Sequence, residues 1–333
     1  MSPFITQQKL ALTRQDWAKG QNGSSKPFCM AKLAVYALGG NALQSPTDQG
    51  ESSAAVLAKV MSDVIDLLEM DWRVVITHGN GPQVGHLLAM DVDHAHSLDE
   101  WVAATQGIIG HQLSIHLQAI LHRRRRPERT AVVLTRVVVD AEDPGFSWPT
   151  KPVGPVLDAS TVMSADWDIA ETIHGPRRVV ASPQPTTVVE LDVIRQLVAL
   201  QAVVICGGGG AVPVCLNDGV MHGMEAVVDK DLFSSTLANQ LGAHALIIST
   251  EADAIYTKYG TPQARALREL SVQEAMVMED NGEFPKGSMS PKVGALCNFV
   301  QTTEGGRAIL CSPGQVLDAL RGESGTVILP SES

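Results

Sequence analysis

The feature that most restricts how this chain can fold is an alternation that starts at Leu33. A short apolar run of strand length leads into a glycine-rich turn, then an amphipathic stretch, then another apolar run. Leu33 to Leu38 and Arg73 to His78 have strand length, and Leu57, Val60, Met61, Val64, Leu67 and Leu68 between them recur at helical spacing. That is one βαβ unit. A second set predicts strand from Thr130 to Val139, helix from Val188 to Gln201, strand from Ala202 to Cys206, helix from Leu232 to Leu241 and strand from Ala245 to Ser249. A third predicts helix from Lys292 to Val300, strand from Arg307 to Cys311, helix from Gln315 to Arg321 and strand from Thr326 to Leu329. Such alternation implies an α/β fold with a mainly parallel sheet and helices on both faces.

Three stretches fall outside this rhythm. Residues 1–30 are polar, irregular and without an apolar core segment, and read as an extension before the domain at 31–333. Asp91 to Glu100 is polar and loop-like, ahead of a helix expected from Gly110 to His122. Asp143 to His174 is rich in Pro, Asp, Trp and Ser and makes an excursion from the sheet, a small subdomain or lid.

Charge and cysteine usage exclude several classes of function. The net charge of -11 repels nucleic acid, and the basic run Arg123 to Arg126 suits the C-terminal end of its helix. No apolar run approaches the roughly 18 residues that cross a bilayer. The five cysteines form an odd set without a CxxC pair, which argues for neither a disulfide framework nor a zinc site and fits reducing cytoplasm.

Glycines cluster where strands end, the position at which open α/β sheets bind ligands. Gly39, Gly40 and Asn41 follow the first strand, in a turn where close backbone amides suit a phosphate. His78, Gly79, Asn80, Gly81, Pro82, Gln83, Val84 and Gly85 follow the second, with Pro82 spoiling a dinucleotide spacing and His78 reading as a structural strand end. The run from Gly207 to Gly210 follows a third and points to an anion site. No Walker sequence is present, so the positive charge must come from lysines elsewhere. Lys230 between Asp229 and Asp231, Lys292 after Gly287, Ser288, Met289, Ser290 and Pro291, and Lys151 inside the excursion are the candidates. Together with the glycine turns they resemble a phosphoryl-transfer site.

The segments LAVYALGGNAL, VVITHGNGPQVG, VVVDAEDPGFSWPTKPVGP, RRVVASPQP, ICGGGGAVPV, GMEAVVDKDL, GSMSPKV and SGTVI run in order from about residue 31 to residue 330, and resemble the carbamate kinases of the amino acid kinase superfamily. HGNGPQVG and PTKPVGP are the most specific of them. The resemblance implies a three-layer α/β/α sandwich, an acceptor lobe at 31–210 with the protruding excursion, a nucleotide lobe at 211–330, and a homodimer. It implies that Gly39, Gly40 and Asn41 contact the transferring phosphoryl group, with Gly208 and Gly209 also binding phosphate. Gly79, Asn80 and Gly81 would hold carbamate. Lys230 and Lys292 would bracket the β- and γ-phosphates, Asp229 would orient the lysines, and Lys151 would reach in from the excursion. Thr250 and Tyr256 would belong to the nucleotide site. ATP or ADP and Mg2+ are the implied ligands, with turnover toward ATP in arginine, agmatine or ureide catabolism. The chain departs from the pattern at Glu251, at Ser290, and at Val102, Ala103, Ile108 and His111. These leave open a degenerate nucleotide or carbamoyl phosphate sensor, or a kinase of another small carboxylate.

Overall fold

A computed structural model describes residues 31–39, 53–91, 93, 95–172, 175–285 and 287–331. The extension at 1–30, and the two turn residues Gly40 and Asn41, lie outside the described residues. The strands are β1 (Leu33–Leu38), β2 (Arg73–His78), β3 (Arg129–Val133), β4 (Arg136–Val138), β5 (Lys151–Val153), β6 (Ile169–Thr172), β7 (Gly175–Val180), β8 (Thr187–Val188) and β9 (Ala202–Cys206). They continue with β10 (Val212–Asn217), β11 (Val220–Gly223), β12 (Ala245–Ser249), β13 (Ile255–Thr257), β14 (Arg265–Leu267), β15 (Glu269–Ser271), β16 (Arg307–Cys311) and β17 (Thr326–Leu329). The helices are α1 (Ser53–Glu69), α2 (Gly81–Met90), α3 (Leu98–Arg123), α4 (Pro144–Ser147), α5 (Ala159–Ser164), α6 (Leu191–Ala199), α7 (Lys230–Leu241), α8 (Val272–Asp280), α9 (Met289–Thr302) and α10 (Val316–Arg321).

Eight strands form the main sheet in the order β15-β17-β16-β12-β1-β2-β9-β3. Its neighbours run parallel except at β16 and β17, which pair antiparallel. Side chains alternate across a strand, so successive residues of β1 enter different cores. Val35 and Ala37 pack with Ile194 of α6, Phe233 and Leu237 of α7, Ala275 of α8 and Leu296 of α9. Ala34, Tyr36 and Leu38 pack with Val64 and Leu67 of α1, Leu113 and Leu117 of α3 and Ala319 of α10. Helices thus cover both faces, and the three-layer α/β arrangement expected from the sequence is present. No helix among the described residues is long and apolar enough to cross a membrane.

Local structure corrects the sequence reading in several places. The apolar stretch from Thr130 to Val139 is two strands in two sheets, because the Gln106 side chain clamps the backbone at Thr135 between them, where the carbonyl also accepts from Val212 N–H of β10 at 2.9 Å. The Thr135 N–H donates to Gln106 Oε1 at 2.8 Å and its carbonyl accepts from Gln106 Nε2 at 2.9 Å. The chain turns there, and β4 joins a second sheet of order β11-β10-β4-β8. The helix expected from Gly110 begins at Leu98 instead, where Ser97 and Glu100 form a capping box inside the stretch read as loop. The excursion is a three-stranded antiparallel arm, β5-β7-β6, that continues through β7 to Val180, past the expected boundary at His174. A third apolar cluster joins it to the body: Val153 and Val180 of the arm pack with Val84, Val102, Val212 and Val227.

Candidate active site

The parallel strands β1, β2, β9 and β12 end side by side, and their turns are stitched together. Gly39 N–H donates to Ser249 O at 3.0 Å, and Gly79 N–H donates to Leu38 O at 3.1 Å. At Gly39 a Cβ would stand 3.2 Å from that Ser249 oxygen, which accounts for glycine after β1. Asn80 is buried, precedes α2, and donates from Nδ2 to Thr105 Oγ1 at 2.8 Å. Gly79 and Gly81 flank it, and Gly81 has open space where a side chain would project. The run after β9 is fully buried: Gly208 lies against the His78 ring, Gly209 against the Asn80 side chain and Gly210 against the Val228 carbonyl. Any Cβ there would overlap these groups, so close packing beneath the Asn80 turn explains glycine at Gly208 and Gly209.

The lysines meet at the start of α7. Asp229 caps this helix, its Oδ1 accepting from the N–H groups of Asp231 at 2.8 Å and Leu232 at 3.4 Å. Its other oxygen, Oδ2, accepts from Lys151 Nζ at 2.6 Å, so the arm reaches the body at a charged contact. Asp231, 2% exposed, takes Lys230 Nζ on Oδ1 at 2.5 Å and Lys292 Nζ on Oδ2 at 3.2 Å. Lys292, in the first turn of α9, also donates to Ser288 O at 3.0 Å. Two amines 62 positions apart in the chain therefore converge on one buried carboxylate.

This geometry amends one expected role. Asp229 engages Lys151 alone of the three lysines, while Asp231 holds Lys230 and Lys292 together. Sequence reasoning finds Asp231 only as an acid flanking Lys230, and that adjacency is the one signal of its role. Burial by itself raises the Asp229 carboxyl, but Lys151 and then Lys230 bring its pKa down to about 2. Lys230 is pushed below the ordinary lysine range by burial, against the pull of Asp231 and with the push of Lys292. His78 is fully buried, its Nδ1 lies 3.0 Å from Gly79 O, and loss of solvent brings its pKa down to about 4.

A separate cleft of about 480 Å³ is lined by Glu251, Ala252, Asp253, Tyr256, Tyr259 and Gly260. Tyr256 donates to Asp253 Oδ1 at 3.0 Å and meets Tyr259 edge-on at 5.9 Å. Thr250 directly precedes this lining, anchored by its N–H to Cys311 O at 3.0 Å. Ser290 hydrogen-bonds Glu279 Oε1 at 2.6 Å, fastening the turn before Lys292 to α8. Among the described residues no group of three or more His, Cys, Asp or Glu side chains is placed to hold a metal.

An arrangement of ammonium groups, a capped helix start and strand-end turns suits charge-rich phosphate chemistry. Known proteins agree with it. Residues 32–310 match the amino acid kinase family. The carbamate kinase of Pyrococcus furiosus is 39% identical over 315 residues, spanning 90% of this chain and 100% of its own length. Carbamate kinase 2 of Enterococcus faecalis is 38% identical, over 89% of this chain and 98% of its own. The solved carbamate kinase of Giardia lamblia bound to AMP-PNP superposes with a TM-score of 0.81 at 33% identity, covering 91% of this chain and 99% of that one. The chain belongs to the amino acid kinase family, in its carbamate kinase group, and is a phosphotransferase.

Proposed function

We propose that the chain catalyses ATP + carbamate ⇌ ADP + carbamoyl phosphate, running toward ATP where carbamoyl phosphate is supplied by catabolism of arginine, agmatine or ureides. The convergence of Lys230 and Lys292 on Asp231 carries the reading. Phosphoryl transfer asks mainly for positioning and for cations near the equatorial oxygens. In the resting site Asp231 bridges both amines and keeps them side by side. A polyphosphate arriving there takes their hydrogen bonds, and each ammonium about 4 Å from a phosphate oxygen contributes on the order of 4 kcal/mol at an effective dielectric near 20, before desolvation.

Asp229 holds Lys151 at the edge of the same cluster, from which that amine reaches the transferring group. On the family resemblance Gly39, Gly40 and Asn41 are assigned to the transferring phosphoryl group, Gly79, Asn80 and Gly81 to carbamate, and Gly208 and Gly209 to the phosphate side. Thr250 and Tyr256 border the cleft that takes the nucleotide base, in the stretch from 211 to 330. Carbamate is an anion at neutral pH and attacks without losing a proton, so no general base is needed. The buried His78, with its low pKa and its bond to Gly79, is in keeping with that. Both aspartates of the cluster are occupied by lysines, and the described residues offer Mg2+ no carboxylate cage; the ion would enter on nucleotide oxygens and water.

The described cysteines are all free thiols, which supports a reducing cytoplasm. We also infer a homodimer. Its support is β3, the last strand of the main sheet, with Val132 and Leu134 exposed there.

The test is ATP formation from ADP and carbamoyl phosphate in a coupled assay. Lys230→Ala and Lys292→Ala should each lower the rate by about 10²- to 10³-fold, the loss typical of one electrostatic group. Tight nucleotide binding without turnover in the unaltered protein would overturn the enzyme reading in favour of a sensor. Faster ATP consumption with another small carboxylate would reassign the acceptor.

A further inference from the structure

Two glycines within HGNGPQVG and PTKPVGP have no part in the site as described, yet they touch each other. Gly85 lies in α2, four residues beyond Gly81, and Gly154 follows β5, three residues beyond Lys151. A Cβ on Gly85 would stand 2.9 Å from both Cα and N of Gly154. Helix and arm therefore meet backbone against backbone. Their sequence neighbours Val84 and Val153 are buried in the apolar cluster that joins arm to body. From β7, Arg177 donates to the Gly154 carbonyl through Nε at 3.1 Å and Nη2 at 2.6 Å.

We infer that Gly85 and Gly154 are positioning residues: their contact sets the separation between the Asn80–Gly81 turn and the strand carrying Lys151, and with it the reach of Lys151 to the transferring phosphoryl group. This rests on the role given to Lys151 above. Lys151 stands about 10 Å along the strand from Gly154, and Gly81 about 6 Å along the helix from Gly85. The atoms an added Cβ would meet are backbone, so no side-chain rotation relieves the overlap. Relief requires α2 and the arm to draw apart, and β5 is hydrogen-bonded to β7 as part of one small sheet, with Lys151 in register with Val180. Lys151 moves with it. An error near 1 Å in placing a reacting partner costs about 10²-fold in rate even when its source is remote.

The experiment compares Gly85→Ala, Lys151→Ala and the double variant of the full chain, reading ATP formation, ADP affinity and thermal unfolding. Gly85→Ala should lower kcat/KM for carbamoyl phosphate about 10- to 100-fold while ADP affinity changes less than about twofold. On the Lys151→Ala background the same substitution should lower the rate less than about threefold, because the group it misplaces is gone. A wild-type rate for Gly85→Ala beside a slow Lys151→Ala overturns the inference and leaves the role of Lys151 standing. A full additional loss in the double variant also overturns it, since the damage then does not pass through Lys151. A wild-type rate for Lys151→Ala removes the role of Lys151 and this inference with it. If Gly85→Ala does not fold, Arg177→Gln frees the Gly154 carbonyl and takes its place in the cycle, with the same sub-additive loss expected and an additive one overturning the inference.

Discussion

His78 ends β2 with its ring buried and its pKa brought down to about 4 by loss of solvent. An unfolded chain holds the same imidazole near 6.5. Between those values the unfolded state binds a proton that the folded state refuses, so the stability from this residue is full above pH 6.5 and drains away as pH falls toward 4. The whole effect amounts to about 3 kcal/mol. Urea unfolding at pH 7 and pH 4.5 should therefore show a drop about 2–3 kcal/mol larger in the parent than in His78→Asn, and equal drops would refute the assignment. At the same scale, the lysines could be read from the sequence because Lys151 and Lys292 stand in glycine- or proline-containing stretches and Lys230 stands between two aspartates at a helix start. Of their carboxylate partners, the family resemblance names Asp229, which holds Lys151, but not Asp231, which holds the other two. Of the two acids flanking Lys230, Asp229 turns back to cap α7 and Asp231 turns toward both amines, and that choice follows from the direction of the helix start in three dimensions.

Turns tell the same story among the elements. Six strands of the eight-stranded sheet could be anticipated because β1, β2, β9, β12, β16 and β17 are largely buried apolar runs with the bounds read from the sequence, whereas the outer strands β3 and β15 are mostly exposed or half-buried. What was missed carried short-range signals. Asp218 and Gly219 join β10 to β11 as a two-residue hairpin turn, and Ser271 with Glu274 forms the capping box of α8. The break at Thr135 had no such signal, since Gln106 reaches it from 29 residues away. Two glycines separate local from tertiary demands. Gly210 and Gly219 both have positive φ, 85° and 78°, but a Cβ on Gly219 meets open space while one on Gly210 overlaps the Val228 carbonyl. Gly219→Ala should cost about 1 kcal/mol, from backbone strain alone, and Gly210→Ala about 3 kcal/mol or more, from strain and overlap together. Denaturant midpoints of the two variants measure the difference, and similar values would show that the turn after β9 yields.

For the whole molecule, the residues from Lys32 onward form one compact unit whose sheet ends at β15 on one side and β3 on the other. Val132 and Leu134, 43% and 52% exposed, stand at the β3 end. Sedimentation equilibrium should give twice the mass of one chain, and Val132→Glu with Leu134→Glu should yield monomers. A parent protein that sediments as a monomer would remove the dimer.

The central placement of β1 also bears on how the chain is made. This strand is translated first among those of the sheet, yet its flank toward β12 stays open until a segment 211 residues later emerges, as the bond from Leu33 to His244 measures. At roughly 5–20 residues per second, ribosomes leave that apolar edge uncovered for about 10–40 s. Nascent chains of this topology must be shielded from one another for that interval, so yield in the cell should depend on chaperone supply more steeply than the stability of the finished protein would suggest.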